Sequence, residues 1–114
     1  MSAAFFNRIR VNQLDSDTFA EQVSTTPNAV ILDVRTEEEH YNTRIPNSIL
    51  IDIYEETFPN EVLKLDKTKP YFVYCRSGNR SSSACMFMMK NGFQQVYNLE
   101  DGIISWNGKL EQRV

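Results

Sequence analysis

Short apolar runs alternate along this chain with mixed, charge-bearing stretches, and the spacing switches between strand-like and helix-like. Arg10 to Leu14 predicts a first strand, and Asp15-Ser16-Asp17 supplies cap candidates for a helix through about Val23, ended by Thr25-Thr26-Pro27-Asn28. Ala29 to Val34 is a near-continuous apolar run of strand length, the pattern of a strand buried on both faces. Thr36 with Glu39 three residues on matches a capping box, which predicts a short helix over Glu37 to Asn42. Ser48 to Ile51 gives a third strand, whereas Glu55 to Leu65 is acidic and mixed, with Pro59 expected to break it into short helical pieces. Tyr71 to Cys75 is a fourth strand and Ser81 to Asn91 a helix. Ala84 through Met89 is apolar on every face, so that helix is expected to be buried all round rather than amphipathic. Gly92 closes it, Gln95 to Leu99 forms a fifth strand, and Gly102 to Gly108 holds a last short helix carrying Trp106. Strands alternating with helices predict an α/β architecture, a mainly parallel sheet of about five strands with helices on both faces.

Composition narrows the class without naming a chemistry. At 114 residues the chain has room for one core and one domain, with residues 1–8 and 109–114 as candidate loose ends. Twelve basic residues against fifteen acidic ones give a formal charge of −3, and no basic stripe suggests a nucleic-acid partner. No stretch approaches the roughly 20 apolar residues of a membrane span, and Met1 to Arg8 lacks the basic region and apolar core of a secretion signal, so a cytoplasmic address is expected. The two cysteines fit a reducing compartment. Cys85 would lie roughly 9 Å along the helix, at ~1.5 Å per residue, and Cys75 ahead of its start. That separation should exceed what a disulfide tolerates.

The candidate chemistry lies in Cys75-Arg76-Ser77-Gly78-Asn79-Arg80-Ser81, between the fourth strand and the helix after it. A cysteine ending a strand, followed by a polar loop and a helix start, meets several backbone N–H groups and the positive end of a helix. This setting stabilises a thiolate and suits nucleophilic sulfur chemistry. The five positions after Cys75 hold two arginines and no aliphatic side chain, so the loop makes an anion cradle. In an open parallel sheet, ligands bind beyond the carboxyl ends of the strands, where Cys75 falls. Cys85, inside the apolar helix, is a small core residue. Asp33 and Arg35 at a strand end are expected to form a structural ion pair or network, with Arg35 reaching Glu38 or Glu39 and Asp33 bracing neighbouring loops. His40 has no second histidine or cysteine beside it in sequence and so is not expected to bind metal. Met86, Met88 and Met89 are expected to fill core, and Glu37-Glu38-Glu39 a solvated helix start.

These residues together resemble a single-domain rhodanese of the sulfurtransferase superfamily, over nearly the whole chain. Leu32-Asp33-Val34-Arg35 resembles the family's LDVR segment, and Glu38-Glu39-His40 with Arg44-Ile45-Pro46-Asn47-Ser48 its EEF and GHIPGA segments. Cys75 to Ser81 resembles the active-site loop, and Glu100-Asp101-Gly102 with Trp106 the closing GG-x-x-x-W. Thr43 and Arg44 replace the usual Gly-His, Asn47 and Ser48 the usual Gly-Ala, and Asp101 the first closing glycine. His40 stands where the family has an aromatic. The resemblance implies a rhodanese-like fold and transfer of a sulfane sulfur from thiosulfate or a related donor to Cys75, then to cyanide or a thiol. Cys75 is the implied catalytic residue, Arg76, Ser77, Gly78, Asn79, Arg80 and Ser81 bind substrate, and Asp33, Arg35 and Glu39 support them. Arg76 and Arg80 would hold the sulfonate of thiosulfate, and the backbone N–H groups of Arg76 through Ser81 the thiolate and persulfide. No metal or organic cofactor is implied. Related phosphatases place five residues between cysteine and arginine, whereas four separate Cys75 from Arg80, as in the sulfurtransferases. Two alternatives stand beside the enzyme: a persulfide carrier whose acceptor is another protein's cysteine, and a noncatalytic regulatory module.

Overall fold

The apolar run Pro70–Tyr74, buried at every position, forms the central strand of a five-stranded parallel sheet. The computed structural model describes residues 9–112. In chain order the elements are β1 (Asn12–Leu14), α1 (Ser16–Thr25), β2 (Val30–Asp33), α2 (Glu37–Asn42), β3 (Thr43–Arg44), β4 (Ile49–Leu50), α3 (Phe58–Leu63), β5 (Pro70–Tyr74), α4 (Asn79–Lys90), β6 (Gln95–Leu99) and β7 (Glu111–Gln112). Among the described residues, one 3-10 turn covers Ile103–Ser105. The sheet runs β1-β6-β5-β2-β4, every neighbour parallel, with Leu32 opposite Val73 and Val73 opposite Asn98.

Period-two alternation along β5 divides the core in two. Tyr71, Val73 and Cys75 join Phe58 and Val62 of α3 and Ala84, Cys85 and Met88 of α4 in one cluster. Phe72 and Tyr74 join Phe19 of α1, Leu99 and Ile103 in the other. Phe19 meets the rings of Phe72 and Trp106 edge-on at 5.5 and 5.6 Å. The sheet is thus covered on both sides, as its continuous apolar strands require.

Helices α1 and α2 start at side-chain caps, whereas α3 and α4 start without one. Asp15 Oδ1 accepts the N–H of Thr18 at 2.8 Å to open α1. Thr36 and Glu39 form the reciprocal capping box expected of them: the Glu39 N–H donates to Thr36 Oγ1 at 3.2 Å and the Thr36 N–H to Glu39 Oε1 at 3.1 Å.

Four expectations are corrected. Pro59 does not break α3 but sits in its first turn, where a missing N–H costs nothing. Helix α4 is not buried all round: Ser81, Ala84, Cys85 and Met88 face the sheet, while Met86, Phe87 and Met89 are only partly covered. A single helix layer on a sheet face has one side to bury, and apolar residues on the other side remain half wet. The last helix shrinks to the 3-10 turn, with Trp106 just after it. Glu111 and Gln112, expected in a loose end, pair antiparallel with β3. Residues 1–8 and 113–114 lie outside the described residues. Among the described residues, no helix is long and apolar enough to cross a membrane.

Candidate active site

Cys75 follows β5 directly, and the chain turns through Arg76–Gly78 into α4. The thiol is buried, with the residue only 1% exposed, so its surroundings are fixed by protein rather than solvent. Three donors converge on its sulfur: the N–H of Gly78 at 3.1 Å, the N–H of Ser81 at 3.3 Å and the hydroxyl of Ser81 at 3.3 Å. The two N–H groups belong to the N-cap residue and first turn of the 12-residue α4, so the helix dipole acts in the same direction. Ser81 Oγ also lies 3.2 Å from the carbonyl of Gly78. Its one proton serves either acceptor, and negative charge on sulfur draws it to Cys75.

The turn needs glycine at Gly78. Its φ of +100° is left-handed, and an added Cβ would lie 1.9 Å from the carbonyl oxygen of Glu100. Behind it, the amide of Asn98 on β6 donates to Gly78 O at 3.2 Å and to Gln13 Oε1 at 2.8 Å. The segment after β6 straps the loop from the other side: the N–H groups of Ile103 and Ile104 donate to the carbonyls of Cys75 and Arg76 at 3.0 and 3.2 Å. Gly102, at φ +75°, makes this approach possible, since a Cβ there would lie 2.0 Å from Arg76 O. Of the Asp101-Gly102 pair, only the second position carries this demand, and Asp101 is exposed. Asn47, likewise in place of a glycine, adopts φ +69°, which asparagine tolerates better than most residues.

The two arginines of the loop have different surroundings. Arg80 makes a bidentate pair with Glu39, NH1 to Oε1 at 2.8 Å and NH2 to Oε2 at 2.9 Å. Its guanidinium also sits 5.5 Å from the centre of the Tyr54 ring. Hydrogen bonding from Arg80 holds the Glu39 carboxyl far down, at about 2, and the same pairing raises Arg80 further above its already high value. Arg76 is exposed and makes no side-chain hydrogen bond or ion pair among the described residues.

Asp33 is the hub of a second network beneath the site. Fully buried, it accepts from the backbone N–H of Arg35 and from its guanidinium at 2.8–3.2 Å, and from the Tyr74 hydroxyl at 2.9 Å. His40 Nδ1 lies 2.8 Å from the same carboxylate. Tyr74 in turn accepts from the N–H of Ile45 at 3.1 Å, and burial, then the charge of Asp33, push its phenol up to about 12. Arg35 therefore reaches Asp33 and the carbonyl of Thr43, not Glu38 or Glu39. Its side chain points inward toward the charge that two residues' spacing on a strand end supplies. His40 occupies the aromatic's place but contributes a polar contact. Cys85 is fully buried and both thiols are free. Burial, then the charge on Cys75, push the Cys85 thiol well up, which leaves it an inert core residue.

The structure thus brings Cys75, Gly78 and Ser81 together directly, and sets Glu39 against Arg80 and Asp33 against Arg35. Ser77 and Asn79 donate no hydrogen bond to the sulfur. Asn98 and Tyr74 have structural roles that no local motif announced, because each acts across strands 20 or more positions away in sequence.

The parallel sheet, with a buried cysteine between its central strand and the helix after it, has the rhodanese-like fold. Residues 16–109 match the family described as Rhodanese-like domain, and the chain belongs to that family. A sulfurtransferase of Allochromatium vinosum is 32% identical over 96 residues, covering 84% of this chain and 88% of that one. A putative sulfur carrier protein of Bacillus subtilis, YrkF, is 33% identical over 106 residues, 92% of this chain but 56% of its own. The crystal structure of a rhodanese-like domain protein from Staphylococcus aureus superposes with a TM-score of 0.77 at 28% identity, covering 91% of this chain and all of that one.

Proposed function

We propose that the protein moves a sulfane sulfur from thiosulfate or a similar donor through a persulfide on Cys75 to a thiophilic acceptor, cyanide or a thiol. The observation that carries this reading is the convergence of three donors on one buried sulfur at a helix start. The Cys75 thiolate attacks the outer sulfur of the donor, forming a sulfur–sulfur bond. The outer sulfur's bond to the sulfonate breaks, and its electron pair leaves on sulfite. Negative charge now rests on the outer atom of the persulfide. An acceptor nucleophile then bonds to that atom, and Cys75 departs as thiolate, held by the Gly78 and Ser81 donors.

Within this reading Arg76 binds the sulfonate and Arg80 positions the loop, since its charge is engaged by Glu39. The N–H groups of Arg76, Ser77, Asn79 and Arg80 remain as backbone donors to the anion. One observation favours a protein relay as the physiological setting: with Arg80 paired, a single uncommitted arginine faces a dianionic donor. The sulfur carrier among the relatives supports the same setting.

Intact mass before and after incubation with thiosulfate tests the chemistry. A gain of one sulfur that reductant removes and Cys75→Ser lacks is expected, as is a Cys75→Ser turnover lower by about three orders of magnitude or more. Arg76→Ala should raise the thiosulfate KM while leaving discharge by cyanide near normal. No gain from thiosulfate, mercaptopyruvate or polysulfide would overturn the mechanism.

A further inference from the structure

Scattered apolar side chains on a protein surface need no explanation, but their placement here has a pattern. Tyr54 and Ile104 are the most exposed of the large apolar residues described, at 70% and 60%. Both stand at the mouth of the Cys75 loop. Tyr54 meets Arg80 in the first turn of α4, and Ile104 is bonded through its N–H to the carbonyl of Arg76. They also lie on opposite sides of it. Tyr54 follows β4 and Ile104 follows β6, and β5, which leads to Cys75, runs between those strands in the sheet.

Outside Arg76 and Arg80 of the loop itself, the exposed charge beside this pair is acidic. Glu55 and Glu56 adjoin Tyr54, Glu100 and Asp101 precede Ile104, all four are exposed, and none is in an ion pair among the described residues. Next to Tyr54 a cavity of about 270 Å³ is lined by Leu50, Ile51 and the carboxylates of Glu37, Asp52, Glu55 and Glu61, with no cation in its wall. These outer carboxylates add no attraction for a small anionic sulfur donor, whose binding falls to Arg76 inside them. A polypeptide with apolar anchors and basic flanks meets complementary surface and charge at once.

We propose that Tyr54, Ile104 and the carboxylates around them dock a thiol-bearing protein whose contact segment is apolar and basic, and that this protein takes sulfur from Cys75. The proposal rests on the persulfide reading and names the acceptor class for it. In the transfer, the acceptor thiolate bonds to the outer sulfur of the persulfide while the bond to Cys75 Sγ breaks. Cys75 leaves as thiolate and the acceptor carries the persulfide, with no net oxidation.

Two synthetic single-cysteine peptides of equal length test it, one flanked by leucine and lysine, the other by serine and glutamate. Discharge of the persulfidated full chain is followed by loss of the added sulfur mass. The basic apolar peptide should discharge it at least about tenfold faster, with an advantage that shrinks as salt rises. Ile104→Ser combined with Glu55→Lys should cut that advantage by about fivefold or more while cyanide discharges the variant at the wild-type rate. Equal rates for the two peptides, or a variant slowed alike toward peptide and cyanide, would overturn the docking surface. Calorimetric binding of the same peptides with serine in place of cysteine, to the unmodified protein, reads the surface without any sulfur chemistry. Preferential binding with no persulfide formed would retain the surface and remove the sulfur-transfer function; a persulfide formed with no preference in binding would do the reverse.

Discussion

The Glu39 carboxylate closes the capping box on Thr36 and also grips Arg80, so one side chain joins the start of α2 to the start of α4. Its pKa is about 2 in the folded chain against an ordinary 4.5, chiefly through hydrogen bonding to Arg80. A depressed carboxyl favours the folded state when ionised. Its contribution is therefore complete above the unfolded value and is lost as pH falls from about 4.5 toward 2. Glu39→Gln keeps a residue that can close the capping box and removes the charge. The difference in melting temperature between wild type and this variant should be constant from neutral pH down to about 5.5, then shrink steadily below it. A difference that persists unchanged at pH 2.5 would show that the pair adds nothing through its charge.

At the scale of elements, the junction between β5 and α4 depends on how closely two loops can approach. Gly78 combines a left-handed φ with a backbone oxygen 1.9 Å from any Cβ, whereas Gly92, after α4, has φ +91° but only the Lys67 side chain nearby, at 3.8 Å. Gly92→Ala should lower stability by about 1 kcal/mol, the strain of the backbone conformation alone. Gly78→Ala should lower it by ~3 kcal/mol or more, because the Glu100 carbonyl must move as well. Denaturant midpoints for the two variants measure the contrast. The same comparison explains which closing residue can vary: a Cβ at Gly102 would run into Arg76 O, whereas Asp101 is exposed. Helix α4 makes a related point, since a run of apolar letters from Ala84 to Met89 cannot say how many faces will find a partner.

Across the whole molecule, protection should follow the sheet order from the centre outward. Strand β5 is buried at every position and bonded on both sides, and β7 is exposed and joined only to β3. Amide hydrogen exchange should therefore be slowest in β5 and β2 and fastest in β3 and β7, with β4 nearer the fast end. Uniform protection throughout would mean that the small antiparallel pair belongs to the same cooperative unit. The site sits at the carboxyl end of this central, fully buried strand.

Local patterns in the chain carried much of this architecture. The capping box at Thr36, the strands from Val30 and Gln95, and the cysteine loop before α4 all arise from neighbours within a few residues. Short-range hydrogen bonding and side-chain alternation set them, and both can be seen in order along the chain. Partner choice is another matter. Arg80 took Glu39, Tyr74 reached Asp33 and Asn98 reached Gly78, because those pairings depend on which elements lie side by side and which charges are buried together. A charged group inside a protein goes to whatever partner the packing places within hydrogen-bond distance, and that placement exists only once the sheet has assembled.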